Sequence, residues 1–411
     1  MDLVDEIELR ISGKHKEIDR LIDHNQWKII QAFQKHRVSD FHFAASTGYA
    51  YNDRGRETLD LVFADVFGAE SAIVRPHFAS GTHTIAAALF GLLRPGDGLH
   101  FITGRPYDTL HKVIGREGES SGALREWGVR YDETPLLDDG GIDWPAVERQ
   151  IGAHTKVIGI QRSRGYAWRP SFSVADIGEM VQRIKRIKPD VIVFVDNCYG
   201  EFTERSEPVE AGADLIAGSL IKNPGGGLAA TGGYIAGKQV YVELAANRLF
   251  APGIGLDVGA MLGASRSIYQ GLFMAPHCVG QALKGAVFAA ALFEQLGYET
   301  HPRWGDDRSD IIQAIRFGGP DELIAFVQGI QSASPVDAHV VPEPWDMPGY
   351  ANPVIMAAGT FIQGGSLELS ADAPIREPYI AYMQGGVTYS HAKLGVLAAL
   401  ERIKVKKPHI D

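Results

Sequence analysis

Between Glu57 and Ala289 short apolar runs alternate with longer amphipathic segments, and no other feature of the chain restricts its fold as strongly. Residues 72–74, 99–103, 157–160, 191–195, 215–217 and 233–235 read as strands. Helical patterning fills several of the gaps, at 84–93, 144–151 and 174–187. A run such as Val191-Ile-Val-Phe-Val195 has no polar face, so it needs cover on both sides of its sheet. Strand–helix alternation on this scale predicts an α/β domain with a mainly parallel sheet. Such sheets bind ligands beyond the carboxyl ends of their strands, and candidate site residues are sought there.

The flanks differ in texture. Leu3, Ile7, Ile11, Ile18, Leu21 and Ile22 recur at helical spacing, which predicts a helix over 3–35 that packs on its own domain or on a second subunit. Beyond Phe293 the pattern predicts helices at 310–316 and 321–330, a turn-rich stretch marked by Pro335, Pro342, Pro344 and Pro353, a strand at 366–370 and a last helix at 389–403. This reads as a smaller α+β domain. The expected organisation is an arm over 1–56, a large domain over 57–292 and a smaller one over 293–411. With 411 residues, 45% of them hydrophobic, the chain can fill one large core and a second small one. A net charge of −10 without a basic stripe argues against nucleic acid and anionic membrane as partners. Cys198 and Cys278 suit neither a disulfide framework nor a zinc site, and no His/Cys/Asp cluster has metal-ligand spacing. Residues 1–8 are charged from position 2 and no apolar run is long enough to cross a bilayer, so a cytoplasmic protein is expected.

Four local features carry chemistry. In Ala213-Asp-Leu-Ile-Ala-Gly-Ser219-Leu-Ile-Lys222-Asn-Pro-Gly-Gly-Gly227 a lysine follows a buried strand and precedes a triple glycine. Desolvation there would lower its pKa and make the amine a nucleophile for a carbonyl; alone, the motif also suits a surface lysine before a turn. Ser80-Gly81-Thr82 opens a helix after a strand, where N–H groups and hydroxyls can close on a phosphate, or where Ser80 can simply cap the helix. Tyr107, past the strand at 99–103, can stack on a planar ring or be an ordinary loop aromatic. Asp196 ends the apolar run at 191–195 and needs a partner, such as a protonated ring nitrogen, a structural arginine or a helix N-terminus. Cys198 beside it has no paired base and reads as a packing residue. Separately, the loop Thr47-Gly-Tyr49-Ala-Tyr51-Asn-Asp-Arg54-Gly-Arg56 holds arginines suited to a phosphate or carboxylate, or to solvent. A reactive lysine, a phosphate turn, a stacking ring and a strand-end aspartate together meet the needs of pyridoxal 5′-phosphate.

With those residues in place, the chain resembles the fold-type I pyridoxal-phosphate enzymes of the cysteine/methionine metabolism group. More narrowly, it resembles the methionine γ-lyase-like, or aluminium resistance protein, family, from Gly48-Tyr-Ala-Tyr51 to Met383-Gln-Gly-Gly-Val-Thr-Tyr389. The resemblance implies a large domain with a seven-stranded-type sheet and a smaller C-terminal domain. It makes Lys222 the aldimine lysine, Asp196 the pyridinium partner, Tyr107 the stacking ring, and Ser80, Gly81, Thr82 and Ser219 phosphate ligands. Tyr49, Tyr51 and Arg54 would then serve the neighbouring subunit's phosphate, in a homodimer with shared active sites packed further into a homotetramer. Arg376, in Asp372-Ala-Pro-Ile-Arg-Glu-Pro-Tyr379, is the candidate for the substrate carboxylate, although the group's own context for that arginine is absent; Arg162 and Arg164 are the runners-up. The implied activity is β- or γ-elimination on a sulfur-containing amino acid, giving thiol, ammonia and a 2-oxo acid. An aminotransferase or aldolase-type reaction shares the cofactor, and a silent binding protein shares the fold. A nicotinamide enzyme is disfavoured because no strand leads into Gly-x-Gly-x-x-Gly.

Overall fold

Seven strands make the larger sheet: β1 (Ser71–Arg75), β2 (Gly98–Phe101), β3 (Arg130–Glu133), β4 (Thr155–Gln161), β5 (Ile192–Asp196), β6 (Leu215–Ser219) and β7 (Gly233–Gly237). They lie in the order β1-β7-β6-β5-β4-β2-β3, and all are parallel except β7. The computed structural model describes residues 3–115, 122–347 and 352–406. Every residue of β5 is buried. Its side chains divide by turn, with Val193 and Val195 in one hydrophobic core and Ile192 and Phe194 in the other. That division is why the run carries no polar face.

The helices of this part are α1 (Leu3–Lys35), α2 (Arg54–Phe67), α3 (Gly81–Leu92), α4 (Asp108–Ile114), α5 (Trp144–Gln150), α6 (Val174–Ile187), α7 (Gln239–Leu249) and α8 (Ser265–Gln295). The sequence marks the start of α6. Ser173 Oγ accepts from the Asp176 N–H while the Asp176 carboxylate accepts from the Ser173 N–H, a reciprocal cap. The start of α2 corrects the reading of 41–56 as loop throughout. Asp53 caps that helix, and Arg56 is fully buried, donating to the carbonyls of Ala50 (2.9 Å) and Asp257 (3.0 Å). Arg56 therefore holds the loop's own backbone.

The smaller sheet is antiparallel, in the order β10-β11-β12-β9-β8, from β8 (Glu299–His301), β9 (Ile312–Arg316), β10 (Val354–Ala357), β11 (Ser370–Pro374) and β12 (Ile380–Gln384). One of its faces packs on α9 (Pro320–Ser332), which lies against α10 (Tyr389–Lys406). The other face presents Ile312, Ala314, Ile380 and Tyr382 to Tyr166, Trp168 and Tyr199 of the large sheet's loops.

Three expectations fail here. Residues 310–316 contain the strand β9, because pairing with β8 and β12 outweighs the helical spacing of Ile311, Ile312 and Ile315. The strand expected at 366–370 begins where it was thought to end, at Ser370. The edge strand β3, with no fully buried residue, carries no apolar signature and was missed. In addition, α8 runs to Gln295 and so crosses the boundary expected after residue 292.

Candidate active site

The carboxyl ends of β4, β5 and β6 converge below the smaller sheet, and a cleft lies between them. From the large domain it is lined by Gly81, Thr82, Tyr107, Gln161, Tyr166, Asp196, Tyr199 and Lys222. From the smaller sheet come Ile312, Asp372, Tyr382 and Gln384.

Lys222 follows β6 directly and caps the short turn Asn223–Gly225. The glycines after it are required by packing: Gly226 has φ +55°, and a Cβ there would run into the Gly271 carbonyl of α8. The Lys222 Nζ sits 3.9 Å from the centroid of the Tyr199 ring. Tyr199 holds that place from a left-handed backbone (φ 70°) and donates its hydroxyl to the Gly365 carbonyl at 3.0 Å. A non-glycine residue at such φ marks a position fixed by its surroundings.

One end of the cleft is built for an anion. Ser80 Oγ is used in capping α3, accepting from the His83 N–H at 3.1 Å, and the residue is exposed. Gly81 stands over β6, where a Cβ would lie 3.3 Å from Ser219 Cβ and 3.6 Å from Cys198 Sγ. Ser219 is buried and its Oγ has no hydrogen-bond partner. A buried orphan hydroxyl facing a helix N-terminus is costly unless a ligand completes it. Thr82 Oγ1 lies 2.7 Å from Thr109 Oγ1.

Asp196 ends β5, fully inside, with Oδ1 accepting from the Cys198 N–H at 3.2 Å. Burial pushes its carboxyl up, against the pull of Lys222 and that N–H. Burial likewise raises the Cys198 thiol, which fits the packing role expected of it. For Lys222 the expected direction is reversed. Burial does oppose its ammonium, but Cys198, Tyr199, Asp196 and Glu201 outweigh burial and raise its pKa above the ordinary lysine value. Tyr107 is partly exposed at the cleft mouth, its backbone N–H donating to Gln161 Oε1 at 2.7 Å. Its ring meets Tyr166 edge-on at 6.3 Å.

The remaining predicted residues lie elsewhere in this chain. Arg376 is exposed on the turn after β11, donating to Asn352 Oδ1 at 3.3 Å, and it does not line the cleft. The turn carries it past the end of a strand whose Asp372 faces inward. Arg162 is buried on Asn197 Oδ1 (2.8 Å) and Glu204 Oε1 (2.7 Å), and Arg164 on the His301 carbonyl (2.8 Å) and Asp310. Tyr49 and Tyr51 stack on each other with centroids 5.6 Å apart, both largely exposed, with Arg54 exposed beside them. Gln161, Tyr166, Asp372, Tyr382 and Gln384 line the cleft and were not singled out from sequence.

Together the lining residues and Ser219 behind Gly81 fit a flat phosphorylated aldehyde. The orphan Ser219 hydroxyl and the α3 N-terminus suit its phosphate, Asp196 a ring nitrogen, and Lys222 its carbonyl. Among the described residues no group of three His, Cys, Asp or Glu side chains could hold a metal ion, and no helix is long and apolar enough to cross a membrane.

Comparison with known proteins agrees over the full length. Residues 1–404 match the family described as methionine gamma-lyase. An uncharacterized protein of Bacillus subtilis, YnbB, is 54% identical over 98% of this chain and 96% of its own. A Listeria monocytogenes crystal structure, provisionally named a cystathionine beta-lyase involved in aluminium resistance, superposes with a TM-score of 0.96 at 54% identity, covering 97% of this chain and 99% of that one. A carbon–sulfur lyase involved in aluminium resistance from Clostridium novyi gives a TM-score of 0.94 at 50% identity, covering 98% and 95%. A methionine gamma lyase from Micromonospora echinospora, 18% identical with a TM-score of 0.58 over 87% and 93%, shares the fold.

Proposed function

The chain belongs to the methionine gamma-lyase family, and from that premise we propose that it is a pyridoxal 5′-phosphate-dependent carbon–sulfur lyase acting on a sulfur-containing amino acid. The observation that carries this reading is the convergence of Lys222, the buried Asp196 and Gly81 at the α3 N-terminus in one cleft, with the unpartnered Ser219 hydroxyl buried directly behind Gly81. Ser219 Oγ and the N–H groups of Gly81 and Thr82 would hold the phosphate. Asp196 would keep the ring nitrogen protonated, and a cation placed there relieves the cost of burying its carboxylate. When bound, the cofactor supplies an electron sink that acidifies the substrate's Cα–H and weakens the carbon–sulfur bond.

The chain's own groups do the rest. Lys222 would take the Cα proton at Nζ as general base. The Tyr199 ring beneath Nζ limits where that amine can swing. Tyr107 at the mouth would stack on the ring and shield the reacting carbon from water. The outcome is thiol, ammonia and a 2-oxo acid. Tyr49, Tyr51 and Arg54, exposed here, are assigned to the phosphate end of a second subunit's cleft, in a homodimer. The reading is tested by loading the protein with cofactor and assaying thiol release from cystathionine, methionine, homocysteine and cysteine, beside a Lys222→Ala variant. Equal turnover by wild type and variant overturns it.

A further inference from the structure

The smaller sheet contributes an acid where sequence reasoning sought a base. Asp372 sits in β11 opposite Tyr382 of β12, and both side chains line the cleft. Its neighbours in the strand, Ala371 and Ala373, turn the other way into the core. Asp372 is only 6% exposed. Tyr166 donates a hydrogen bond to its carboxyl, yet Oδ1 has no partner. Among the described residues that line the cleft, Lys222 is the one cation, and in the proposed reaction its amine is engaged with cofactor and substrate. A buried carboxyl whose one cationic neighbour in the cleft is engaged elsewhere, half satisfied and facing a ligand cavity, is an unmet demand for a donor. Burial pushes this carboxyl up to about 7, and a cation brought against it would return it to the ionised form.

The same geometry is hostile to an anion on the sulfur-bound fragment. A carboxylate brought under the smaller sheet would face Asp372, and Arg376 lies outside the cleft on the turn beyond it. The hydroxyl of Tyr382 and the amide of Gln384 flank Asp372 on the neighbouring strand as neutral groups that can orient a donor but do not compensate a charge. We infer that Asp372 is the specificity residue of this cleft, placed to take an ammonium carried on the sulfur-bound fragment of the substrate. Thioether amino acids with such a second cation are then preferred to neutral counterparts of the same shape. The reaction named here rests on the lyase reading; the binding preference does not.

Two ligand pairs separate these claims on the cofactor-loaded protein. L-Lysine and L-2-aminoheptanoate differ by an ammonium for a methyl and have no carbon–sulfur bond to break. S-(2-aminoethyl)-L-cysteine and S-propyl-L-cysteine repeat the comparison with a cleavable bond. Calorimetry is expected to give tighter binding of lysine than of its methyl counterpart by about tenfold or more. Asp372→Asn, which keeps the shape and an acceptor for Tyr166, is expected to abolish that preference. The kcat/KM ratio of the cysteine pair should fall with it, through KM. Equal affinity for both ligands in the wild type, or a preference that survives Asp372→Asn, overturns the assignment. If that variant does not fold, the wild-type comparison decides alone. A binding preference without thiol release from either cysteine upholds Asp372 and excludes β-elimination on these thioethers; thiol release from both without preference overturns Asp372 and keeps the lyase reading.

Discussion

The floor and the roof of the cleft are built on different principles. The floor consists of parallel strand ends, each delivering its residue within a few positions of a buried run: Asp196 from β5, Ser219 and Lys222 from β6. The roof is an antiparallel sheet in which Asp372, Tyr382 and Gln384 face the cavity only because alternate residues of β11 and β12 do so. A floor of this kind fixes the chemistry, since all its groups converge on one lysine. The roof meets whatever the substrate carries beyond the reacting carbon. Chemistry and selectivity are therefore separable in this molecule, and each side can be perturbed alone.

The largest effect should come from the floor. Lys222→Ala is expected to lower kcat for thiol release by about 10^3-fold, the scale of a lost general base, and borohydride should no longer fix cofactor to the chain. A loss confined to KM would move Lys222 into a binding role. Next comes the anion end. Gly81→Ala places a methyl 3.3 Å from Ser219 Cβ, in the space assigned to phosphate. Equilibrium dialysis should show cofactor held about tenfold more weakly, as for one lost hydrogen bond to a charged group. Unchanged retention would put the phosphate elsewhere.

On the roof side, Arg376→Ala should change kcat/KM by no more than about twofold, because its side chain is exposed and outside the cleft. A much larger loss would show that the turn after β11 closes over the substrate, and the contrast between floor and roof would narrow. The smallest effect concerns stability. Glu201 lies beneath the floor with Oε1 accepting from the Tyr234 hydroxyl at 2.9 Å and Oε2 unpartnered. Burial above all raises its pKa from 4.5 to about 8. Between those values the folded chain keeps a proton that the unfolded chain has lost, so this group makes the fold less stable as pH rises through the window. Glu201→Gln removes the effect. Urea midpoints should favour the variant more at pH 8 than at pH 5, and a constant difference would mean that Glu201 is ionised in the fold.

The same contrast explains what was legible beforehand. Lys222, Asp196, Ser219, Gly81, Thr82 and Tyr107 each stand just past an apolar strand or at a helix start, so local pattern places them at the sheet's functional edge. The helix α6 was legible from its helical patterning, and the reciprocal Ser173–Asp176 cap fixes its start. Asp372 was quoted only as a neighbour of Arg376, because nothing local tells which face of β11 meets the large domain. Its one signal is a polar side chain between Ala371 and Ala373 in a fully buried strand. The strand β9 was misread because its isoleucines satisfy helical spacing, and only long-range pairing with β8 and β12 decides otherwise. The direction of the Lys222 shift was missed for a related reason. Desolvation can be read from the strand before it, whereas its acidic neighbours come from a different strand.

The measurement that bears most directly on the account follows thiol, ammonia and 2-oxo acid together from the cofactor-loaded protein given cystathionine, methionine, homocysteine and cysteine. The account predicts equal amounts of all three products from at least one of these substrates, with pyruvate marking β-elimination and 2-oxobutyrate marking γ-elimination, and a rate about 10^3-fold lower from Lys222→Ala. Bound cofactor converted to its amine form, with an oxo acid released but no thiol, would contradict it and make the protein an aminotransferase.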